Sequence, residues 1–390
     1  MTGLALVFAA LLLLAGCGDE GPSPAAHGEP TYPNRRRELV SPGHLLGYVA
    51  NRQSDTVSVL DLDDMLELGA APVGRDPVDI DGPRSAVVDP VARVLYLVLS
   101  YPVVSDSPHV HAHGSTPRAG YLRALALDDL RPLGDVRLAV APDDVTLSDD
   151  GASLAVAHYD TARAIADTTD LDAKRATVAF AAPASGVAAS DATLSSVMTC
   201  IAPATVVYGP NAARAYVACT GEDSLVVIDT ERATVLSRVP AGAGAPNKPY
   251  ALTRNASGTR LALSNQVAQS VVVFSAGDTP APVATVRVPG VPYFSAWLGD
   301  ARLLVPVQSP SGAALVDVTT GTVVASATYA DTVCRNPSDA RVSADGRLFI
   351  TCEGDHFREG TVVRIDPQTL AVEAAVTVGV YPDRLAVLEP

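Results

Sequence analysis

A proline that recurs along the chain constrains the fold more than any other feature of the sequence. It comes before a short apolar run, which is followed by a turn rich in Asp, Gly or Asn and by a second apolar run. Because proline fixes φ and donates no backbone hydrogen bond, it suits the first residue of a strand. These prolines are Pro77, Pro142, Pro203, Pro249, Pro292, Pro337 and Pro382. The last four intervals are 46, 43, 45 and 45 residues, whereas the first two, of 65 and 61 residues, predict one unit plus an insertion each.

Residues 334–370 give the clearest copy of the unit. Turn residues bracket apolar runs at 340–342, 347–352 and 361–365, and this pattern predicts three short strands. One such sheet leaves both of its faces uncovered. Copies must therefore stack against one another, and the intervals match those of propeller blades.

The two ends of the repeat are incomplete in a complementary way. Only eight residues follow Pro382, enough for one strand, and the first apolar run, near residue 47, has no preceding partner. We therefore predict an all-β fold, a seven-bladed β-propeller of antiparallel four-stranded blades, whose C-terminal strand pairs with the N-terminal blade and closes the ring. An open solenoid or a sandwich is the alternative, but neither explains the incomplete ends.

Two segments carry a family resemblance. GYVANRQSDTVSVLDL (47–62) and ARAYVACTGEDSLVVID (213–229) resemble the YVTN-type β-propeller repeat, in which a Tyr-Val-Thr-Asn run precedes a V-x-V-I-D strand. The likeness covers roughly residues 44–390 and is weak between about 152 and 198. The resemblance implies a seven-bladed scaffold, which serves surface proteins, binding proteins and a few enzymes.

The N-terminus reads as an export signal. Residues 1–16 form an apolar run that is short for a membrane span, and Leu14-Ala15-Gly16-Cys17 resembles the lipobox of bacterial lipoproteins, in which the cysteine is lipidated. A plain signal peptide or a membrane anchor is the alternative. Residues 17–43, rich in Pro, Gly and charge, read as a flexible tether, and 44–390 as the propeller domain. The predicted location is the cell envelope, on a bacterial membrane facing the periplasm or the cell surface.

The charge of the chain limits its partners. The net charge is −15 and the isoelectric point is about 4.8, which disfavours nucleic acid as a partner. The sequence contains no G-x-S-x-G and no phosphate-binding G-x-x-x-x-G-K-[ST]. We therefore predict no catalytic residue and no cofactor from motifs.

Four cysteines form two pairs with matching positions in the repeat. Cys200 and Cys219 are 19 residues apart and Cys334 and Cys352 are 18 apart, and each pair has one member just before an opening proline and one late in the second strand. An antiparallel second strand returns to the start of the first, so each pair is predicted to form an intrablade disulfide, which fits an exported protein. Free buried thiols or a shared metal are the alternatives.

Charged residues lie two positions after several of the opening prolines. Asp79, Asp144, Asp339 and Arg384 hold this place in four blades, at one mouth of the central channel. They could bind a cation or a polar ligand there. The alternative is that each Asp caps the backbone of its own loop.

The first insertion contains SPHVHAHGSTPRAG. His109, His111 and His113 alternate, so in an extended segment all three side chains point to one side, as a Zn or Cu site needs. A solvated loop that binds metal adventitiously is the alternative.

The sequence favours a lipid-anchored envelope protein whose propeller is a non-enzymatic binding or scaffold module. Its partners would be the membrane, through the anchor, and a protein, glycan or small ligand. One alternative is a lactonase-type hydrolase that uses acidic residues at the channel mouth, because some sugar-lactone hydrolases resemble this propeller. A second alternative is an accessory in envelope metal or redox handling, through the histidine loop.

Overall fold

The computed structural model describes residues 38–75, 80–101, 119–183, 187 and 194–390. Seven antiparallel sheets form a ring around a central channel, so the predicted seven-bladed β-propeller is confirmed. In the part of the chain described, no helix is both long and apolar enough to cross a membrane.

The first fifteen strands in chain order belong to blades 1 to 4. In chain order they are β1 (Leu46–Asn51), β2 (Thr56–Asp61), β3 (Leu66–Pro72), β4 (Pro83–Asp89), β5 (Val94–Leu99), β6 (Ala119–Ala126), β7 (Pro132–Val140), β8 (Pro142–Leu147), β9 (Leu154–His158), β10 (Arg175–Ala181), β11 (Ser195–Ile201), β12 (Pro203–Tyr208), β13 (Arg214–Cys219), β14 (Ser224–Asp229) and β15 (Thr234–Pro240). Blade 1 contains β1 to β3, blade 2 β4 to β7, blade 3 β8 to β11 and blade 4 β12 to β15.

The remaining strands complete blades 5 to 7 and return to blade 1. They are β16 (Pro249–Arg254), β17 (Arg260–Asn265), β18 (Ser270–Ser275), β19 (Ala281–Arg287), β20 (Val291–Pro292), β21 (Ala296–Leu298), β22 (Arg302–Gln308), β23 (Gly312–Asp317), β24 (Thr322–Thr328), β25 (Pro337–Val342), β26 (Leu348–Cys352), β27 (Glu359–Ile365), β28 (Val372–Val380) and β29 (Pro382–Leu388). Two short helices, α1 (Thr161–Ala164) and α2 (Leu171–Lys174), lie between β9 and β10, and single 3₁₀ turns occupy Pro210–Ala212 and Thr220–Glu222.

The last strand closes the ring. β29 pairs antiparallel with β1, from Leu46 opposite Leu388 to Asn51 opposite Pro382, and becomes the inner strand of blade 1. The incomplete ends of the repeat thus complete each other, as predicted. The closure pairs the edge of β1 that would otherwise lack a partner strand.

The core lies between neighbouring blades rather than inside one layer. The middle strands are buried on both faces, as in β14, where all six residues are buried, because each blade packs against a neighbour on either side. The outer strands alternate between exposed and half-buried residues, as in β15 and β24. Small and branched apolar side chains such as Val, Ala and Leu fill the space between sheets, which agrees with the low aromatic content of 5%.

The structure corrects the predicted start of blade 2. Its inner strand, β4, begins at Pro83, six residues after the proline that the sequence analysis selected. The segment DPVDIDGP offers two prolines, and only the second follows a glycine with the left-handed backbone that the turn requires, since Gly82 has φ 65°. In the second long interval, from Pro142 to Pro203, the helices α1 and α2 lie between strands β9 and β10 of blade 3.

Both predicted disulfides are present. Cys200 bonds to Cys219 with 6.0 Å between their Cα atoms, and Cys334 bonds to Cys352 with 5.2 Å. The first pair is not intrablade as predicted, because Cys200 belongs to β11 of blade 3 and Cys219 to β13 of blade 4. That disulfide therefore ties two neighbouring blades together.

Candidate functional site

The starts of the inner strands share one backbone geometry. The residue before the opening proline has a left-handed backbone in six blades: Gly82, Ala141, Ala202, Lys248, Asn336 and Tyr381, with φ between 51° and 65°. The residue after the proline is then an extra, unpaired one, as Asp143 is between the pairs Pro142–His158 and Asp144–Ala157. A bulge of this kind changes the direction of side chains. Two consecutive residues of one strand can therefore both contribute to the channel.

We call the end of the channel at which the inner strands begin the proximal mouth. Side chains from blades that are not neighbours meet there: Arg84 of blade 2 donates to the hydroxyl of Tyr250 of blade 5 at 2.6 Å, and Arg384 of blade 1 contacts Asp144 of blade 3 at 2.5 Å. Such contacts are possible only across the axis of the ring. They form two layers, one from each of the two positions after the opening proline.

The deeper layer is an ion-pair network centred on Arg384. Its guanidinium lies 2.5 Å from Asp144 Oδ1 and 3.5 Å from Asp339 Oδ1, and it sits over the ring of Phe294. Burial alone would lower the pKa of Arg384, but the two carboxylates outweigh it and raise that pKa. Burial raises the pKa of Asp339, against the opposing effect of the nearby arginines.

The carboxylates of this layer also bind backbone of the next blade. Asp144 Oδ2 accepts from the Val206 N–H at 3.1 Å, and Asp339 Oδ2 accepts from the Leu385 N–H at 2.9 Å. The predicted alternative, in which each Asp caps its own loop, has the right chemistry but the wrong partner. These side chains join neighbouring inner strands and so hold the wall of the channel together.

The layer at the proximal mouth is built around Arg84. Arg84 Nε lies 2.7 Å from Asp143 Oδ1 and 3.5 Å from Asp383 Oδ2, and its guanidinium donates to Tyr250. All of these residues come directly after an opening proline. Asp383 Oδ2 is buried and, apart from the ion pair with Arg84, which is too long for a hydrogen bond, has no hydrogen-bond partner among the described residues. A buried acceptor without a donor is uncommon in folded proteins and marks a place where a ligand can donate.

Two carboxylates compete here for one arginine. Burial raises the pKa of Asp143 to about 7, and the negative charge of Asp383 adds to this effect, whereas Arg84 opposes it. The pKa of Arg84 is raised, because the surrounding acidic groups outweigh the effect of its burial. A carboxyl group that changes its protonation state near neutral pH can act as a base or an acid.

The rim of the mouth adds an imidazole and aromatic rings. His356 Nε2 lies 2.9 Å from Glu353 Oε2, and the His356 ring stacks on Tyr381 with 3.7 Å between centroids. Burial raises the pKa of Glu353, and its contact with His356 acts in the opposite direction. Tyr250 makes edge contacts with Tyr159 at 5.7 Å and Tyr293 at 5.8 Å. The mouth is therefore acidic at its floor and aromatic along one wall.

The structure brings together three of the four predicted mouth residues. Asp144, Asp339 and Arg384 meet in the deeper layer, where they neutralise one another. Asp79 lies outside the described residues, and the place in blade 2 that the prediction gave it belongs to Ser85, which donates to Asp144 at 3.0 Å. The predicted position in blade 2 is therefore six residues too early, because the strand begins at Pro83 and not at Pro77. Cys17, His109, His111 and His113 also lie outside the described residues.

The sequence analysis did not identify the residues of the layer at the proximal mouth. Asp143 and Asp383 are adjacent in sequence to residues that the repeat singled out, whereas Arg84 follows a proline that the sequence analysis did not select. Strict alternation along a strand would turn all three side chains away from the channel. Only the bulge puts both positions inside. A signal was nevertheless present, since the residues directly after the selected prolines include two aspartates and two tyrosines.

On the far side of the ion-pair network the channel widens into a cavity of about 390 Å³. Ser85, Asp144, Arg341 and Arg384 lie along its polar part. His44, Asp61 and Asp63 lie on this same side, close enough together to be potential metal ligands. However, Asp61 accepts hydrogen bonds from two backbone N–H groups, and Asp63 pairs with Arg347. These carboxylates already have structural partners.

Known proteins resemble this one in fold. The periplasmic gluconolactonase of Pseudomonas aeruginosa is 18% identical, with a TM-score of 0.63 over 89% of this chain and 100% of that chain. A candidate 6-phosphogluconolactonase of Bacteroides fragilis is 14% identical, with a TM-score of 0.63 over 89% of this chain and 98% of that chain. A dihydro-heme d1 dehydrogenase is 14% identical, with a TM-score of 0.57 over 91% of this chain and 77% of that chain.

At these identities the likeness shows the fold alone. No protein-family profile and no curated protein sequence matches the chain. The comparisons nevertheless contradict the prediction of a non-enzymatic binding or scaffold module. Three of the similar structures are described as lactonases or candidate lactonases, which favours the lactonase-type alternative. We correct the prediction accordingly, while the protein or glycan partner stays a prediction.

Proposed function

We propose that the protein hydrolyses lactones at the proximal mouth. The observation that carries the proposal is Arg84 between Asp143 and Asp383, with the pKa of Asp143 raised to about 7. Ester hydrolysis needs a base for water and a donor for the developing oxyanion, and this trio offers both. The lactonases among the structures with this fold support the assignment.

In this mechanism the ionised Asp143 takes a proton from water as the water oxygen attacks the lactone carbonyl carbon. Arg84 and the Tyr250 hydroxyl, which touch each other at 2.6 Å, donate to the carbonyl oxygen as it becomes negative. The bond between the carbonyl carbon and the ring oxygen then breaks, and Asp143 returns its proton to that oxygen. The product is the open hydroxy acid, which loses its carboxyl proton to solvent.

The test is hydrolysis of a panel of five- and six-membered sugar lactones, followed by acid release in a pH-stat. The wild type is expected to turn over at least one lactone faster than the spontaneous reaction. Asp143→Asn and Arg84→Gln are expected to lower kcat/KM by about 100-fold, the usual effect of losing a base or an oxyanion donor.

Asp278→Asn is the matched control, because that carboxylate is 66% exposed and pairs with Arg214 far from the mouth. It should retain wild-type activity. Denaturant unfolding of each variant separates loss of the site from loss of the fold. Wild-type turnover in Asp143→Asn, or none in the wild type across the panel, would contradict the proposal.

We further propose that the protein works in the cell envelope, anchored by a lipid on Cys17. The lipobox-like run before Cys17 and the two disulfides, which persist in oxidising compartments, support this. In a bacterial host grown with labelled palmitate, the wild type should carry label and sediment with membranes, and Cys17→Ser should do neither. Labelling of Cys17→Ser would contradict the assignment.

A further inference from the structure

We propose that the proximal mouth selects uncharged sugar lactones and rejects lactones that carry a phosphate or carboxylate group. The inference rests on the proposed hydrolysis for its biological meaning, but it concerns binding and can be tested without turnover. Its basis is the balance of charge and hydrogen-bonding capacity among the residues of the mouth.

Three carboxylates face the mouth, and all are almost completely buried. The exposed fractions of the Asp143, Asp383 and Glu353 side chains are 5%, 7% and 9%. Charges removed from water are weakly screened, so a ligand at van der Waals distance experiences them strongly. The chain as a whole, with a net charge of −15, adds a field of the same sign.

The cations of the mouth do not offset this for a ligand. Arg84 is held between Asp143 and Asp383, and His356 is held by Glu353. Arg52 and the exposed Lys248, which precedes the opening proline of blade 5, are further cations at this end of the ring, and the Arg52 guanidinium lies 5.4 Å from the centre of the Tyr381 ring. Phosphate sites in proteins use clusters of arginines or bidentate forks. The described residues of the mouth contain no such cluster.

Asp383 Oδ2, which forms an ion pair with Arg84 but lacks a hydrogen-bond donor among the described residues, favours one kind of ligand. A carboxylate oxygen accepts hydrogen bonds and cannot donate, so Asp383 Oδ2 fits a sugar hydroxyl and repels a phosphate oxygen. The tyrosine side chains nearby offer an apolar wall for the carbon face of a pyranose ring. Both features suit a neutral polyhydroxy lactone.

The same balance aids the release of product. Hydrolysis converts a neutral lactone into an anionic hydroxy acid in the same place. The new carboxylate then lies among Asp383, Glu353 and the ionised Asp143, and like charges at this range repel one another. The mouth is therefore expected to bind the lactone more tightly than the acid that it becomes.

The test measures binding of D-glucono-1,5-lactam, a stable neutral analogue, and of its 6-phosphate by titration calorimetry of the full chain. At an ionic strength of about 0.01 M the lactam should bind about 100-fold more tightly than its phosphate, as two like charges at about 6 Å in a partly buried site imply. At about 0.5 M the difference should shrink only in part, because salt screens the long-range field of the chain but screens the buried carboxylates of the mouth much less.

Asp383→Asn tests the assignment to a residue and should reduce the selectivity about tenfold. Asp278→Asn, which removes the same charge from an exposed place outside the mouth, should leave the selectivity unchanged. Equal or tighter binding of the phosphate, or binding of neither analogue, overturns the inference. If the lactam binds selectively while no lactone is hydrolysed, the inference stands and the proposed hydrolysis fails.

Discussion

At the scale of single residues, Asp143 links the structure to a pH dependence. Its pKa is raised from the usual range to about 7, mainly by burial. A base must be ionised to act, so activity is present above this pKa and is lost as the pH falls through it. We expect the kcat/KM of lactone hydrolysis to rise about tenfold per pH unit below pH 7 and to level off above it.

The residual activity of Asp143→Asn should lack this rising limb, since an amide does not titrate. Measuring kcat/KM from pH 5 to pH 9 in both proteins checks the assignment, with the spontaneous rate subtracted at each pH. The same rising limb in Asp143→Asn would show that another group of the mouth, such as Glu353 or His356, is the base.

Asp144 serves stability rather than chemistry. It pairs with Arg384 at 2.5 Å, accepts from the Val206 N–H and accepts from Ser85, and its side chain is 5% exposed. Asp144→Ala would remove the closer of the two ion-pair partners of the buried Arg384 and leave Asp339 at 3.5 Å, and removing one partner of a buried pair costs about 3 to 5 kcal/mol.

Urea unfolding measures this cost as a fall in the free energy of unfolding. The matched variant Asp278→Ala removes an exposed partner of Arg214 and should cost less than about 1 kcal/mol. Similar losses in the two variants would mean that the network around Arg384 does not hold the inner strands together.

At the scale of elements, the sequence predicted the strands well because their limits are local. Prolines, turn residues and apolar runs mark each strand, and the number of blades and the closing strand follow from their spacing. The start of blade 2 was missed because two prolines compete there, and the choice between Pro77 and Pro83 depends on the backbone of Gly82. That conformation cannot be read from spacing alone.

The candidate site was predicted only in part for a related reason. Which residues line a channel depends on the direction of each side chain, and a single bulge reverses it. Asp144, Asp339 and Arg384 were identified, but their mutual neutralisation was not, since it requires side chains of blades 1, 3 and 7 to meet across the axis. The residues of the layer at the proximal mouth, including Arg84, were not predicted from the pattern.

The disulfide between β11 and β13 links two neighbouring blades. Because Cys200 and Cys219 lie in different blades, the bond limits how far blades 3 and 4 can separate. Closing a loop of about 20 residues contributes about 3 kcal/mol in the chain-entropy model. We expect the double variant Cys200→Ser and Cys219→Ser to lose about this much free energy of unfolding.

Denaturant unfolding with and without a reductant is the measurement. Reductant should destabilise the wild type through both disulfides and the double variant only through the bond between Cys334 and Cys352. An unchanged free energy of unfolding in the non-reduced double variant would show that packing alone holds the two blades in register.

At the scale of the whole molecule, the chain joins the ring on the face opposite the proximal mouth. Leu39 N–H donates to Asp128 O in the turn after β6, and Leu45 N–H donates to Asp63 in the turn after β2. Both turns lie where the inner strands end, because β1 begins opposite Leu388, the last residue of β29. If Cys17 carries a lipid, the segment between Cys17 and Leu39 connects the anchor to this face.

The proposed anchor would therefore orient the ring, with the proximal mouth turned away from the membrane and open to solutes. Lipidated protein in vesicles that contain a headgroup quencher tests this with a fluorophore on a single introduced cysteine. Thr319→Cys lies in the exposed turn after β23 on the anchor side, and Val267→Cys lies in the exposed loop before β18 at the mouth. Quenching should be stronger at position 319, and the two positions should be equal in the unlipidated Cys17→Ser protein. Stronger quenching at position 267 would place the mouth against the membrane and contradict the orientation.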